Sequence, residues 1–296
     1  MQTTNNTFRN LHFWQNIFRY IPPEMPGKTR LARRILENSL RTQDIDLHDQ
    51  QGCTFLVPSL YEPIAFHLLI DGVYESATMK FLLRFLKPGD TYVDVGANIG
   101  IFVVPVAKKL SPSGLVLAIE PSPGIFPYLR ANIEKNGVSR VHLRQCAAYD
   151  SEIQDLDFYE APPEHFGMGS LAPQFNRKPV SVDARTLDDI LIEENIHHVN
   201  VLKVDVEGFE SAVFRGAKKL LTSDRPPLVI FEFCDWAECR APGVKAGDAQ
   251  KLLKDYGYQI WRLSDISKSS KRPLPKILLE GYELLVATKD NVELKN

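Results

Sequence analysis

The sequence predicts an α/β fold in which helices cover both faces of a mostly parallel, seven-stranded sheet. From residue 91 onward, apolar segments alternate with helical ones, which is typical of parallel sheets that are buried on both faces. The last two apolar segments, 257–263 and 282–289, are joined by a loop rich in Ser, Lys and Pro that is too short for a crossover helix. These two strands should therefore pair antiparallel. A composition of 44% hydrophobic and 24% charged residues is that of a folded globular domain.

The elements of this sheet can be placed in chain order by their patterns. The expected strands are 91–95, 115–120, 141–145, 199–205, 228–234, 257–263 and 282–289. The expected helices are 101–110, 123–136, 187–195, 209–221 and 246–256. Together they predict a Rossmann-like sheet with an antiparallel last strand, in a domain that spans residues 72–290.

Residues 1–71 precede this domain and predict an N-terminal helical extension, a docking arm. One helical stripe is formed by Leu11, Trp14, Phe18 and Ile21. A second, basic helix is expected at 26–41, and a short strand at 53–59. We expect the arm to dock on the domain. A homo-oligomer or a weak membrane-surface contact through residues 1–40 is the alternative.

Residues 151–186 interrupt the alternation of strands and helices and predict an inserted loop. Two short strand patterns flank a Gly/Pro-rich stretch at 161–178. A loop of this length inside a compact domain is often a lid or a binding loop, and a surface insertion is the alternative. The candidate substrate-binding residues in this stretch are His165, Met168 and Ser170.

Composition and charge disfavour several classes of protein. A net charge of −2 gives no global electrostatic reason to bind nucleic acid. No apolar run approaches the roughly 18 residues of a membrane-spanning helix, and the N-terminus lacks the pattern of a secretory signal peptide. The four cysteines form neither a C-x-x-C pair nor a zinc motif. We therefore expect a cytoplasmic protein with reduced thiols and no nucleic-acid partner.

Carboxylates lie at the ends of four of the predicted parallel strands. Asp94 ends the first strand and Glu120 the second, while Asp205 ends the fourth and Glu207 follows it. The fifth strand carries Glu232. Ligands of open parallel sheets bind outside the carboxyl ends of the strands. A single such acid could cap the following helix, but the repetition over four strands indicates a functional cluster.

The segment "DVGANIG", residues 94–100, predicts a glycine turn between a strand and a helix. Its glycines, Gly96 and Gly100, do not form the dinucleotide pattern G-x-G-x-x-G. The neighbouring acids would repel a pyrophosphate, whereas S-adenosylmethionine carries two cationic groups and no phosphate. Glu120 lies where an acid can accept hydrogen bonds from ribose hydroxyls. S-adenosylmethionine is thus the predicted cofactor, and an NAD-dependent oxidoreductase is the alternative.

Several segments resemble the FkbM family of methyltransferases. They are "GVYE" (72–75), "GDTYVDVGANIGIF" (89–102), "IEPSPGIFPYLRANIEKNG" (119–137), "CAAYD" (146–150), "GMGSL" (167–171), "VDARTLDDIL" (182–191), "LKVDVEGFESAVFRGAKKLL" (202–221) and "RPPLVIFEF" (225–233). This resemblance implies transfer of a methyl group from S-adenosylmethionine, usually to a hydroxyl of a sugar or secondary-metabolite acceptor. A protein of this fold that is a non-catalytic partner is a further alternative.

The resemblance also implies roles for individual residues. The implied cofactor-binding residues are Tyr74, Glu75, Asp94, Gly96, Ala97, Asn98, Gly100, Glu120, Pro121 and Ala147. The adenine contact stays open between Ala147, Ala148 and Asp150, because "AAYD" fits the family pattern loosely. The fourth-strand acids would face the transferred methyl group.

A neutral hydroxyl is a poor nucleophile, so we expect a general base in the site. The first candidates are Asp205 and Glu207, because their mutual repulsion should raise one pKa toward neutrality. Glu232 and His165 are the second choices. No metal site is predicted. Mg²⁺ held by the acid cluster is the alternative, although Asp205-x-Glu207 is not a diagnostic ligand spacing.

Overall fold

A computed structural model describes residues 11, 13–22, 25–40, 43–266 and 272–289. Residues 1–10, which belong to the predicted docking arm, lie outside the described residues. None of the described helices combines the length and the apolar character that crossing a membrane requires.

Within the described residues, the main sheet has seven strands. In spatial order they are β11 (Gln259–Arg262), β12 (Tyr282–Thr288), β10 (Leu228–Cys234), β9 (Val201–Val204), β3 (Thr91–Val95), β4 (Leu115–Ile119) and β5 (Val141–Arg144). The strand β12 runs antiparallel to both of its neighbours, and the pairings from β10 to β5 are parallel. The predicted Rossmann-like sheet with an antiparallel last strand is confirmed.

Helices cover both faces of this sheet. One face carries α3 (Pro63–Asp71), α4 (Ser76–Phe85), α5 (Val103–Leu110), α6 (Phe126–Lys135) and α12 (Leu263–Ile266). The other carries α7 (Leu187–Glu193), α8 (Glu210–Gly216), α9 (Lys218–Leu221) and α11 (Asp248–Asp255). The short α10 (Asp235–Arg240) follows β10 at the carboxyl edge. Alternate strand residues serve the two faces: Tyr92 packs in one core and Val93 in the other.

The N-terminal extension contains the short strand expected at 53–59 and a second strand that the sequence did not predict. A helix α1 that includes residues 13–19 and α2 (Lys28–Leu36) are followed by an antiparallel hairpin of β1 (Gln43–His48) and β2 (Thr54–Ser59). The hairpin is joined to α6 by the Asn132 side chain, which accepts from Leu56 N (2.7 Å) and donates to Leu56 O (3.1 Å). The buried Phe18 and Leu36 belong to the same core as Val104 of α5.

The inserted segment forms a second, small sheet together with a strand that precedes residue 151. Its strands are β6 (Ala147–Tyr149), β7 (Ile153–Phe158) and β8 (Val180–Thr186), in the order β6–β8–β7. Between β7 and β8, a 3₁₀ helix (Pro163–Met168) places Phe166 in the interior of the protein. The two predicted extra strands are therefore present, and the Gly/Pro-rich stretch crosses the carboxyl edge of the main sheet.

Candidate active site

A cleft lies at the carboxyl edge of β3, β4 and β9. The glycine turn, the end of β4 and the segment after β9 form its base, with Gly96, Glu120 and Asp205 among the lining residues. The inserted segment forms the opposite wall through Phe166 and Ser170. A cleft at this edge is where an open parallel sheet binds its ligand.

The first glycine of the turn, Gly96, is required because the backbone of the segment after β9 passes close to it. Gly96 has φ +84°, and a Cβ atom there would lie 1.9 Å from the backbone oxygen of Asp205. Only glycine fits both the left-handed conformation and this contact. Its amide donates to Ile119 O (2.9 Å), which ties the turn to the end of β4. The turn and the segment after β9 are thus in direct contact.

Glu120 is bound to the backbone of the glycine turn. Its Oε2 accepts a hydrogen bond from the amide of Asn98 (2.9 Å), and its Oε1 accepts one from the amide of Ser122 (2.9 Å). Asn98 has φ +51°, a conformation that asparagine tolerates better than most residues. Burial raises the pKa of Glu120 to about 7, although both hydrogen bonds oppose this shift. The carboxylate is held in a fixed position, and its remaining lone pairs can accept hydrogen bonds from a ligand.

A buried lysine lies among the acids of the site. Lys203 Nζ donates to Asp205 Oδ2 (2.9 Å) and lies 3.9 Å from Asp94 Oδ1. Burial alone would lower the pKa of Lys203, but the charges of Asp205, Asp94 and Glu75 outweigh it and raise that pKa. Within the described part of the chain, neither oxygen of Asp94 has a hydrogen-bond partner. Three acids therefore share one buried cation.

Glu207 faces the cleft near Arg240, whose charge opposes the rise in the pKa of Glu207 but does not outweigh it. Its backbone has φ +54°, and Ser170 Oγ donates to its carbonyl oxygen (3.2 Å). In the described residues, no hydrogen bond reaches its carboxylate. Burial, and then the charges of Asp205 and Glu210, raise the pKa of Glu207 to about 8. A carboxyl group with this pKa is a stronger base than an ordinary glutamate when it is deprotonated.

The family model of the methyltransferase FkbM domain matches residues 94–260, which is more than half of the chain. The chain belongs to the FkbM methyltransferase family. This confirms the resemblance, and the protein is a methyltransferase.

Individual relatives of this FkbM methyltransferase share moderate identity with it. Methyltransferase 1 of Beauveria bassiana is 29% identical over 253 residues, which cover 76% of this chain and 90% of the relative. The 31-O-demethyl-FK506 methyltransferase FkbM of Streptomyces tacrolimicus is 28% identical and covers 59% of this chain and 75% of its own. The hexuronic acid methyltransferase AglP of Haloferax volcanii is 27% identical over a match that covers 61% of this chain and 68% of the relative.

The structure brings only some of the predicted site residues of the FkbM methyltransferase into the cleft. Those that line it are Gly96, Asn98, Glu120, Pro121, Ala147, Ser170, Asp205 and Glu207. Those that do not line it are Tyr74, Glu75, Asp94, Ala97, Gly100, His165, Met168 and Glu232. Of these, Asp94 is buried beneath the turn, and His165 is exposed and stacks on Phe175 at 5.6 Å. Burial and the neighbouring carboxylates raise the pKa of Glu232 strongly, which places it in the same acid cluster. In the described ranges, no three His, Cys, Asp or Glu side chains are grouped as metal ligands.

Sequence reasoning missed several residues of the cleft wall. Pro58 of the hairpin and Tyr128 of α6 line the cleft, as does Glu160 after β7. Glu160 Oε1 accepts from Ser122 Oγ (2.7 Å) and from the amide of Gly124 (2.7 Å), so it joins the insertion to the segment after β4. These residues come from elements that are distant in sequence, and no local pattern indicates that they meet.

Raised carboxyl pKa values make stability depend on pH. Burial raises the pKa of Glu210 to about 8 and that of Glu62 to about 7, both from 4.5. Since the folded state holds protons that the unfolded chain releases, their contribution to the unfolding free energy is fully present below pH 4.5. It is lost as the pH rises through 7 to 8. We expect the Tm of the ligand-free protein, measured by scanning calorimetry, to fall by roughly 5 °C between about pH 6 and about pH 9.

Two variants check this origin of the pH dependence. In Glu210→Gln, the amide oxygen can still accept from the amide of Val206, a 3.0 Å bond in the wild type, but the side chain no longer titrates. The decline in Tm should be shallower in this variant. Glu134→Gln, an exposed change on α6, should leave the decline as it is. A Tm that stays constant or rises over this pH range would contradict the prediction.

Proposed function

We propose that this methyltransferase uses S-adenosylmethionine to methylate a hydroxyl group of a sugar or secondary-metabolite acceptor. The observation that carries the proposal is the position of Glu120, buried at the end of β4 and bound to the backbone of the glycine turn. A carboxylate at this place can accept hydrogen bonds from both hydroxyls of a ribose.

The charges of the site fit this cofactor. Glu75, Asp94 and Asp205 share Lys203 as their buried cation, so the site retains negative charge that can balance the ammonium and sulfonium groups. The two Asp94 oxygens are buried and, in the described chain, lack hydrogen-bond partners. Glu120 and Asn98 would hold the ribose, while the acids around Lys203 would balance the positive charges. When bound, the cofactor supplies a methyl group on a positively charged sulfur atom.

The remaining groups of the cleft suit transfer to a hydroxyl. The Glu207 carboxylate would accept the proton that the acceptor hydroxyl loses. The buried rings of Phe166 and Phe209 line the cleft and would exclude water from it. Two relatives support this choice of acceptor by their names, which specify a 31-O-demethyl-FK506 and a hexuronic acid methyltransferase.

The role of Glu120 can be tested by calorimetry with S-adenosylhomocysteine, which binds without turnover. We expect Glu120→Gln to weaken binding by about 10- to 100-fold, because a hydrogen bond to a charged group contributes about 1.5–3 kcal/mol. The amide keeps one acceptor oxygen, so it can retain one of the two backbone hydrogen bonds to Asn98 and Ser122, and a thermal unfolding scan checks that the variant folds. Glu134→Gln on α6 is the matched control and should bind as the wild type does.

The same calorimetry tests the whole proposal. S-adenosylmethionine and S-adenosylhomocysteine should bind to the wild type, and NAD should not. Binding of NAD with no binding of either adenosyl compound would overturn the proposed cofactor. Equal affinity of the wild type and Glu120→Gln for S-adenosylhomocysteine would show that Glu120 does not bind the ribose. The proposed cofactor would still stand in that case.

A further inference from the structure

The arm, defined here as residues 13–36 with α1 and α2, is fixed to the domain by its inner face. Arg19 Nη2 donates to the carbonyl oxygen of Leu68 (3.2 Å), and the buried Lys28 pairs with Asp71 at the end of α3. The Lys28 ammonium also donates to the carbonyl oxygen of Ile21 (2.7 Å), which closes the connection between the two helices. The orientation of the arm on α3 is therefore set by buried polar contacts.

The outer face of the arm is apolar and exposed. Tyr20 is 91% exposed and Phe13 is 60% exposed. The exposed apolar side chains of this face are Phe13, Ile17, Tyr20, Met25, Leu31 and Ile35. The side chains that α1 and α2 bury against the domain are others, Phe18 and Leu36 among them. Phe13, Ile17 and Tyr20 recur at helical spacing along α1, and Leu31 and Ile35 along α2, so each helix presents an exposed apolar stripe. Exposed apolar side chains that are grouped in this way indicate an interaction site.

Positive charge accompanies these apolar side chains. Arg30 and Arg34 are exposed on α2, and a surface groove at the start of this helix is lined by Gly27, Thr29, Arg30 and Arg33. The first turn of α2 itself contains no acidic residue, and its N-cap residue, Gly27, has no side chain to cap the helix. Residues 13–36 carry five Lys or Arg and one Glu, whereas the whole chain has a net charge of −2. The body of the protein is therefore negative and the arm positive.

We propose that the outer face of the arm docks on an anionic phospholipid membrane. Exposed apolar side chains beside arginines are the combination that binds an interface of acyl chains and anionic headgroups. The groove at the start of α2 would receive a lipid phosphate, and the negative body would point away from the surface. A two-fold dimer through the same face would bring the arginines of two copies into one interface, where they repel each other.

The helix α3 connects this surface to the cleft. Its Asp71 end holds Lys28 of the arm. At its other end, Glu62 caps the helix and lies so close to Gly167 that a Cβ there would be 2.9 Å from its Oε1. Gly167 lines the cleft. The nine residues of α3 span about 14 Å, so the docked arm would hold the cleft near the membrane surface.

Co-flotation of the full chain with vesicles tests the proposal. Vesicles of phosphatidylcholine mixed with phosphatidylglycerol should bind the protein at least about tenfold more strongly than vesicles of phosphatidylcholine alone, and added salt should reduce this difference. The double variant Phe13→Ser/Tyr20→Ser should lose at least about tenfold in binding to the anionic vesicles. The double variant Arg30→Gln/Arg34→Gln should lose a similar factor.

Matched control variants test whether vesicle binding depends on the arm or on exposed apolar and basic side chains in general. Ile192 of α7 is 64% exposed, so Ile192→Ser removes a comparable apolar side chain from another surface. Lys218→Gln/Lys219→Gln removes two exposed positive charges from α9. Both controls should bind vesicles as the wild type does. All variants should bind S-adenosylhomocysteine with unchanged affinity, which separates failure of the proposal from failure of the proposed cofactor site.

Three outcomes would overturn membrane docking. Equal binding to anionic and neutral vesicles would show that the arginines do not contribute to binding. No binding to either kind of vesicle would show that the arm is not a membrane-docking surface. A dimer in light scattering that Phe13→Ser/Tyr20→Ser converts to a monomer would make the outer face a subunit interface instead.

Discussion

Glu207→Gln is expected to lower kcat by about 10²- to 10⁴-fold, the usual contribution of a general base, while cofactor affinity stays nearly unchanged. The amide has almost the same shape as the carboxylate but cannot accept the proton of the acceptor hydroxyl. In the wild type, burial raises the pKa of Glu207 to about 8. Because only the deprotonated form is a base, kcat/KM should rise as the pH increases through this value.

Steady-state kinetics with S-adenosylmethionine and an accepted hydroxyl substrate measures both effects. The rise of kcat/KM near pH 8 should be absent in Glu207→Gln. Glu164→Gln changes an exposed acid of the inserted segment and should retain wild-type kinetics. Asp205→Asn separates the two candidate bases. If Glu207→Gln keeps full turnover and Asp205→Asn loses it, the base is Asp205, and if both variants keep it, neither acid is the base.

Lys203→Met is expected to lower the unfolding free energy by roughly 3–5 kcal/mol, because it removes one partner from a buried ion pair. The ammonium is 2.9 Å from Asp205 and 3.9 Å from Asp94, and the side chains of Lys203 and Asp94 are 3% and 1% exposed. Without the lysine, the Asp94 carboxylate has no buried cation beside it. Urea denaturation at neutral pH measures the change.

A surface ion pair supplies the control for this loss. Lys135 lies 3.0 Å from Asp46, with both side chains more than one-third exposed. Lys135→Met should change the unfolding free energy by less than about 1 kcal/mol. Adding Asp94→Asn to Lys203→Met should restore part of the stability, because it removes the unpaired charge. If Lys203→Met lowers the unfolding free energy by less than about 1 kcal/mol, the buried ion pairs of Lys203 do not stabilise the fold as expected.

The main sheet could be predicted because its pattern is local. Each core strand is a short apolar run that ends at an acid or a turn, and β3, β4 and β10 lie within one residue of their expected bounds. The antiparallel pairing of β11 with β12 followed from the length of the loop between them. The acids Glu120, Asp205 and Glu207 could be placed in one cleft because parallel strands align their carboxyl ends.

The rest of the site depends on contacts that a sequence pattern does not contain. The strand β1, "QDIDLH", alternates polar and apolar residues but contains only two apolar side chains, and its pairing with β2 is what defines it. Lys203 occupies a position in a buried strand where an apolar residue is expected, and its burial is explained by the charges of Glu75, Asp94 and Asp205 and by the Phe102 ring, 4.9 Å from the ammonium. Glu160 and Phe166 reach the cleft through the path of the inserted segment, which no periodicity specifies.

The contact between Gly96 and the backbone of Asp205 also bears on how acceptors change within the family. A side chain at Gly96 would displace the strand end that carries the candidate base, so neither part can vary without the other. The opposite wall, from Glu160 to Arg177, is constrained at fewer places: the backbone bridge between Tyr159 and Ser170, and the close packing at Gly167 and Gly169. Elsewhere it is held by side-chain hydrogen bonds and packed rings. Substitutions in that wall can reshape the acceptor pocket and leave the reacting centre in place. The same glycine turn and strand ends could therefore serve different acceptors. Changes of acceptor range should be engineered in the wall, residues 160–177.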